Sequence, residues 1–347
     1  MKRKLILFSL AAGLLAACSK DDGKSSEQIT EKQNEIFLQT NIRSMQEGTR
    51  ATTYDDAAAL QVVPVDVKVY AYFHNTEISY LNNAGETLHY DSGEPAGWKF
   101  WNTGTSSQLH YYWSVEGAVT SSFSVDPVTV SSLDFVGYCP YDKPAYITSE
   151  PTYNHTDGIS FTSNLASYMT NTTQSGITEY MCAILPAQTL SNQTDAGGSL
   201  PLQLKHPFAR IRLQLAANHP NVTIHSITLR SLNTGGTYTL TPANVSSWSS
   251  LSGEADLETS FTGDAANFNS NPATPLSIGT DLIVIPQNWA GVIEVNADCL
   301  FWGVMKNYPA LTTTIPTNWQ PGYSYTYTFN ISPDDLKVNI ARYTEQW

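Results

Sequence analysis

The chain has 347 residues and a formal net charge of −13, and only 14% of its residues are charged. An acidic surface repels nucleic acid and anionic lipid, so the composition argues against nucleic-acid partners. Polarity carried by neutral Ser, Thr, Asn and Tyr side chains is typical of many extracellular β proteins, and the length favours two domains.

Residues 1–17 predict a cleaved secretory signal peptide. Three cations at positions 2–4 precede an apolar segment from Leu5 to Leu15, which is shorter than the about 20 apolar residues that span a bilayer. The segment ends in Leu-Ala-Ala-Cys, which resembles the lipobox of bacterial lipoproteins. We therefore predict that Cys18 is acylated and becomes the first mature residue, which changes the net charge from −13 to −16. The alternative is an ordinary signal peptide in which Cys18 is incidental.

Residues 18–34 form a polar segment without apolar periodicity, and we predict a flexible, lipidated tether. Directly after the lipidation site come Lys20, Asp21 and Asp22. They resemble the acidic export signal with which lipoproteins of Bacteroidetes reach the outer face of the outer membrane. The alternative is that these acids are ordinary residues of a solvated tether.

Short strands separated by turn residues are predicted from residue 35 onward. A polar loop with Arg50 and Ala51 divides the first two, and the Gly-, Asn- and Asp-rich stretch 191–199 is predicted to be a linker. The regions 148–175 and 246–275 look mostly irregular, and residues 218–221 predict a hairpin turn. The predicted strands are 35–42, 62–73, 87–90, 97–101, 109–113, 121–125, 133–139, 180–185, 200–206, 209–216, 222–229, 238–240, 282–285, 291–300, 301–305, 323–331 and 335–343.

Hardly any window of the mature chain shows the 3.6-residue apolar period of a helix. Many short strands with frequent turns therefore predict an all-β fold made of β-sandwiches. Because the linker lies near residue 195, we expect two sandwiches in tandem, over residues 35–195 and 196–347.

The sequence has none of the motifs of hydrolases, metalloproteases or nucleotide-binding enzymes, so we expect no catalytic activity, no cofactor and no metal. Three cysteines follow the lipidation site, Cys139, Cys182 and Cys299. Their odd number and wide spacing argue against a disulfide framework. One bridge remains open as an alternative, but buried free thiols are the favoured interpretation.

Aromatic residues cluster between residues 98 and 113. Trp98, Trp101 and Trp113 could stack on sugar rings and form a glycan-binding platform. The commoner role of such rings in β proteins is to fill the interior of a sandwich. Both interpretations stay open at this point.

Several sequence pieces match, in order, those of a known family, and together they cover essentially the whole chain. The chain resembles the fimbrillin family of Bacteroidales, the subunits of type V pili. The matching pieces are the lipobox at Cys18, Gly48-Thr49-Arg50-Ala51, Gly137-Tyr138-Cys139-Pro140-Tyr141, Tyr180-Met181-Cys182-Ala183, the run from Leu202 to Ile211, Leu282-Ile283-Val284-Ile285-Pro286-Gln287 and the run from Trp319 to Tyr325.

The resemblance implies two tandem transthyretin-like Greek-key β-sandwich domains and an assembly mechanism. Subunits of this family travel as lipoproteins to the outer membrane, where a trypsin-like protease cuts after an Arg behind the first strand, here between Arg50 and Ala51. A C-terminal strand of another subunit then fills the vacated groove, so the implied partners are other fimbrillin subunits in a homo- or heteropolymer that supports adhesion. The implied donor strand carries Leu336, Val338 and Ile340.

Two questions stay open from the sequence alone. Arg50 could be an unprocessed loop residue, and the chain could be a pilus tip or anchor subunit rather than a stalk subunit. An alternative of another class is a surface lipoprotein that never polymerises and binds a glycan, a host ligand or a bacterial surface ligand.

Overall fold

The computed structural model describes residues 35–42, 66–90, 98–113, 132–217, 219, 221–262, 267–268, 273–331 and 336–346. Within them no helix is long and apolar enough to cross a membrane. The elements are β1 (Leu38–Ile42), β2 (Val67–Phe73), β3 (Glu86–Tyr90), β4 (Trp98–Asn102), β5 (Ser107–Gln108), β6 (Leu133–Cys139), β7 (Thr152–Asn154), β8 (Gly158–Asn164), a 3₁₀ turn (Ala166–Tyr168), α1 (Asn171–Gln174), β9 (Met181–Gln188), α2 (Leu190–Asp195), β10 (Leu200–Leu204), β11 (Ala209–Leu215), β12 (Asn221–Leu240), β13 (Ser246–Ser260), β14 (Asn267–Phe268), β15 (Leu276–Ser277), β16 (Leu282–Val284), β17 (Asn288–Trp289), β18 (Val292–Phe301), β19 (Val304–Thr314), β20 (Thr317–Asn318), β21 (Tyr323–Ile331) and β22 (Leu336–Gln346).

The described strands form three larger sheets and two separate strand pairs. A six-stranded sheet has the order β5-β4-β3-β2-β6-β9, and β1 pairs with β10 beside it. A seven-stranded sheet has the order β19-β18-β12-β8-β7, with β13 and β14 also on β12. A five-stranded sheet has the order β15-β11-β21-β22, with β16 also on β11, and β17 pairs with β20. The predicted all-β sandwich fold is confirmed.

Alternating apolar residues give each sheet a buried face, and the buried faces form three clusters. One cluster lies between the five- and seven-stranded sheets, where Leu213, Val295 and Tyr327 are buried. A second packs β1 and β10 against the six-stranded sheet. A third joins β6 and β9 of the six-stranded sheet to β8 and β12 of the seven-stranded sheet, so both halves of the chain contribute residues to this cluster.

Strands that precede residue 195 pair with strands that follow it. β8 precedes it but pairs with the end of β12, from Asn164 opposite Gly235 to Ile159 opposite Leu240. β10 follows it but pairs with β1. The division into domains at residues 195 and 196 therefore stays a prediction.

The predicted hairpin at residues 218–221 is wrong. β11 pairs with β15, β16 and β21, whereas β12 pairs with strands of the other sheet, so the connection crosses between two layers. Two segments expected to be irregular form strands, because mostly polar strands can pair on β12. They are β13 at residues 246–260 and β8 at residues 158–164. Residues 109–113 contribute an isolated bridge from Tyr112 to Glu35 instead of a strand. The predicted strand 121–125 lies outside the described residues.

The strand predicted at 180–185 extends further in the structure, because β9 continues through Pro186 to Gln188. The ladder between β6 and β9 shifts register here, from Leu133 opposite Gln188 to Phe135 opposite Leu185. The Ala187 N–H donates to the Asp134 carboxylate at 2.7 Å instead of to the ladder. A proline is tolerated at such an irregularity because no ladder hydrogen bond is required of it.

Candidate functional site

The first strand lies in a groove of the N-terminal half. β1 pairs in parallel with β10, from Leu38 opposite Leu200 to Ile42 opposite Leu204. On its other side the Ile36 N–H donates to the Tyr111 carbonyl at 2.7 Å. Ile36, Leu38 and Thr40 alternate into the interior and are 2%, 1% and 5% exposed. The strand therefore fills a row of pockets with every second side chain, as strands do.

The floor of this groove is built by β10 and β6. Leu200, Leu202 and Leu204 are all buried. Leu202 lies so close to Gly137 that a Cβ on this glycine would be 2.5 Å from Leu202 Cδ2. A larger residue at position 137 would collide with the Leu202 side chain, so the glycine makes room for this side chain in the floor of the groove.

A buried glutamine holds the backbone of the first strand. Gln193 lies on α2, whose Thr189–Asn192 capping box orders its first turn. Gln193 Oε1 accepts the Phe37 N–H at 3.0 Å and the Trp113 indole N–H at 3.1 Å. Its Nε2 donates to the Glu35 carbonyl at 2.7 Å. The Gln193 amide thus adds two hydrogen bonds to the backbone just before β1, beyond the end of the β1–β10 ladder.

The stretch predicted to be a linker therefore contains a short helix with a role in the groove. Its capping pattern, Thr-x-x-Asn, is a helix signal that could have been recognised in the sequence. Nothing in the sequence singled out Gln193, because a glutamine in a polar stretch is ordinarily a solvated residue.

Two further features describe how the first strand fits its groove. His110 Nδ1 lies 2.5 Å from a carboxylate oxygen of Glu35, whose side chain is 8% exposed. Thr40 Oγ1 is buried and has no hydrogen-bond partner among the described residues. A buried hydroxyl without a partner is unfavourable, so Thr40 is the weakest fit in the row.

The residues predicted for lipidation, export and processing, Cys18, Lys20, Asp21, Asp22, Arg50 and Ala51, lie outside the described residues. In the sequence, Arg50 and Ala51 fall between the end of β1 and the start of β2.

The predicted donor residues lie in β22, at the edge of the five-stranded sheet. This strand pairs antiparallel with β21, where Leu336 is opposite Ile331, Val338 opposite Phe329 and Ile340 opposite Tyr327. β21 is held from its other side by β11. In this structure β22 and the β1 groove are therefore in different sheets of the chain.

Of the three tryptophans considered for glycan stacking, two are interior residues. Trp98 and Trp113 are 4% and 6% exposed, so neither ring presents a face to solvent on which a sugar could stack. Trp101 is half-buried, stacks on the His89 ring and has Lys99 Nζ 4.8 Å from its ring centre. The sequence did not single out Trp302, which is 91% exposed.

The three cysteines of the described part are free and buried, so the bridge left open by the sequence does not form. Burial raises the pKa of the Cys182 and Cys299 thiols to about 12 and raises that of Cys139 as well. No group of three or more His, Cys, Asp or Glu residues in the described part could hold a metal ion. These thiols are core residues, without the features of a reactive or metal-binding site.

We expect the folded protein to be inert to a thiol reagent at pH 8. The test uses the Cys18→Ser variant, so that the thiol at position 18 does not react. An unfolded thiol ionises near pH 8.5, whereas the folded thiols stay protonated to about pH 12. The unfolding free energy should therefore fall as pH rises above 8.5, by about 1.4 kcal/mol per pH unit for each thiol. Denaturant titrations at pH 8 and 10 measure this. Rapid labelling of the native protein at pH 8 contradicts it.

Comparison with known proteins gives one family and several similar folds. The profile described as fimbrillin-like matches residues 98–347. A fimbrial protein from Bacteroides vulgatus ATCC 8482 is 13% identical, with coverage of 90% of this chain and 99% of that one and a TM-score of 0.56. This likeness shows a shared fold.

Two other solved structures are similar over comparable lengths. The tip fimbrial protein Mfa3 from Porphyromonas gingivalis is 10% identical, covering 90% and 100% of the two chains with a TM-score of 0.41. A fimbrial assembly protein from Parabacteroides distasonis ATCC 8503 is 9% identical, covering 90% and 97% with a TM-score of 0.38. No curated protein matches the sequence.

Proposed function

Since the chain belongs to the fimbrillin-like family and is thus a fimbrial protein rather than an enzyme, we propose that it is a pilus subunit that polymerises by donor-strand exchange. In this mechanism β1 is cut away and a strand of a second subunit takes its place. The observation that carries the proposal is the way β1 lies in its groove. It is a short strand whose alternate side chains fill pockets and whose described ladder partner is β10.

Removing β1 would leave a site that favours another strand. The edge of β10 would lose its backbone partners, and the pockets of Ile36 and Leu38 would open onto Leu200 and Leu202. Exposed apolar pockets beside an unpaired edge favour the addition of an extended segment. Main-chain hydrogen bonds supply affinity in such strand addition, and alternate side chains supply selectivity.

We further propose that residues 1–17 direct export and that Cys18 carries more than one acyl chain, since a single chain anchors only weakly. Lys20, Asp21 and Asp22 would direct the lipoprotein to the outer face of the outer membrane. A trypsin-like protease would then cut between Arg50 and Ala51, releasing the lipid together with β1. In this account the lipid serves export, and the finished fimbrium is held together by strands.

The proposed donor is β22 of another subunit. It is an edge strand, so its departure leaves β21 paired with β11 along six residues, from Arg210 to Leu215. The exchange would replace the β21–β22 ladder of one subunit with a new ladder on β10 of the next. Head-to-tail contacts of this kind produce filaments when the rotation between subunits does not close a ring.

We expect the precursor to form ladders of polymers on an unheated gel after treatment with a trypsin-like protease, with Ala51 as the new N-terminal residue. Arg50→Ala should remain monomeric under the same treatment because β1 stays covalently attached. Arg43→Ala, which removes the other arginine between β1 and β2, is the matched control and should polymerise like the unchanged chain. Cut protein that stays monomeric would contradict the proposal.

One observation favours the second candidate function, a surface lipoprotein that binds a ligand without polymerising. Trp302, Val304 and Met305 lie at the turn between β18 and β19 and are 91%, 67% and 61% exposed. Exposed apolar side chains grouped together often mark binding surfaces. The assay above separates the two functions, because this alternative predicts a monomer after cutting.

A further inference from the structure

Resting on the proposed function, we infer that a second copy of the chain covers the turn between β18 and β19 in the assembled fimbrium. The apolar side chains of this Trp302 turn, Trp302, Val304 and Met305, are 91%, 67% and 61% exposed in the single chain. The turn thus makes a second contact between neighbouring subunits, separate from the donor strand and its groove.

The backbone of the Trp302 turn is not one that a tryptophan favours. Phe301 pairs with Val304, so Trp302 and Gly303 are the two central residues of a hairpin turn. Their φ angles are 50° and 80°, and a turn with two positive φ angles favours asparagine or glycine at its first central position. Trp302 therefore combines an unfavourable backbone with a ring that is almost fully in water. Both features at one residue indicate a role in binding.

The strand directions place the Trp302 turn at the end of the sandwich from which the donor strand leaves. β11 ends with Leu215 opposite Phe329, near the end of β21. The chain then passes to the facing sheet, where β12 begins with Asn221 opposite Leu300, just before the turn. The end of β18 and the end of β21 therefore lie at the same end of two facing sheets, which pack about 10 Å apart.

The short connection between β21 and β22 keeps the second copy close to this turn. Ile331 and Leu336 are five positions apart, so an extended chain spans at most about 18 Å between them. When Leu336 lies in the groove of a second copy, the surface of that copy is within this distance of the end of β21. Phe301, directly before the turn, packs against the buried cluster that contains Ile331. The second copy is therefore brought to the end of the sandwich that carries the turn.

The charge of the turn also suits a second copy. The chain has a net charge of −13, so two copies repel each other over most of their surfaces. Between Asp298 and Asp334 the sequence has a single charged residue, the exposed Lys306, which directly follows the turn. An apolar surface beside a cation can contact an acidic neighbour without repulsion between carboxylates, and the contact removes apolar area from water.

An engineered thiol tests whether the turn is covered. Val304→Cys, combined with Cys18→Ser, adds one exposed thiol to a chain whose other thiols are buried. This thiol should react rapidly with a thiol reagent in the precursor and should lose most of its reactivity in polymers of the protease-cut protein. The matched control is Leu251→Cys, because Leu251 is 37% exposed and lies on β13 beside the middle of β12, away from the turn. The control thiol should react equally in precursor and polymer.

Trp302→Asn tests whether the contact contributes to assembly. Asparagine suits this turn, so the unfolding free energy of the precursor should not fall. The protease should cut the variant normally, but its polymers should be shorter and should dissociate at a lower temperature than those of the unchanged chain. Leu251→Asn is the matched control and should change neither the length nor the dissociation temperature of the polymers.

The outcomes separate this inference from the proposed function. Polymers in which the thiol at position 304 reacts as fast as in the precursor overturn the inference and leave donor-strand exchange intact. Trp302→Asn polymers that match those of the unchanged chain overturn it as well, and the turn is then available to a molecule outside the fimbrium. Unchanged cut protein that forms no polymers overturns both.

Discussion

A chain truncated after Ile331 should be cut normally by the protease but should form no polymers by itself. The truncation removes β22, the proposed donor, and leaves the β1 groove complete. β21 keeps its ladder to β11, so the five-stranded sheet loses only an edge. Native gel electrophoresis after cutting measures the effect, which we expect to be complete loss of the ladder.

The truncated subunit should still accept a strand. Mixed with the full-length subunit, it should shorten the polymers in proportion to its share, because it occupies one end and offers no donor. A synthetic peptide of residues 332–347 should bind the cut, truncated subunit with one copy per groove. A truncated subunit that polymerises as well as the full-length chain would show that the donor lies elsewhere.

Leu38→Asp should strongly destabilise the precursor yet leave the assembled polymer unaffected. Leu38 is 1% exposed, and a carboxylate in its pocket would be buried among apolar groups. We expect the unfolding free energy of the precursor to fall by roughly 4 kcal/mol or more. After cutting, β1 has left, so the stability and length of the polymer should match those of the unchanged chain.

The neighbouring substitution Gln39→Asp is the matched control for this prediction. Gln39 is half-buried and belongs to the opposite face of β1, so the same charge there should cost less than about 1 kcal/mol. Denaturant unfolding of both precursors, followed by heat dissociation of both polymers, measures the difference. A Leu38→Asp polymer that is as strongly weakened as its precursor would mean that β1 remains in the assembled subunit.

Strands with a regular pattern could be predicted from the sequence. The strict alternation from Tyr323 to Ile331 gave β21 with its observed bounds, and the apolar run at 133–139 gave β6. The first strand was also expected, and Ile36 and Leu38 proved to be buried. In each case the pattern itself carries the information, since alternation states which face is buried.

Other elements depend on partners that are distant in the sequence. Gly235 and Gly236 lie between two predicted strands, 222–229 and 238–240, yet β12 runs through both glycines as one strand. A Cβ on Gly235 would be 2.9 Å from Ser252 Oγ, so the glycine gives the Ser252 side chain of the neighbouring strand β13 room at this position. β13 escaped prediction for a related reason: most of its residues are exposed, so no apolar alternation marks it.

The groove was only partly predictable. The strand that occupies it and the arginine that follows could be predicted, but the residues that hold the strand come from two regions far from it in the sequence. His110, Trp113 and Gln193 meet at the start of β1 through hydrogen bonds that span 75 to 158 residues of sequence. Trp113 was interpreted as a stacking residue, and neither His110 nor Gln193 was singled out, because a hydrogen bond between distant residues leaves no pattern in the sequence of either partner.

The central claim is that β1 is absent from the assembled subunit, and N-terminal sequencing of surface fimbriae tests it most directly. Fimbriae sheared from cells and dissociated should yield subunits that begin at Ala51, with a mass that lacks residues 18–50 and the lipid. Subunits in the same polymers that begin at Cys18 and still carry residues 35–42 would contradict the account.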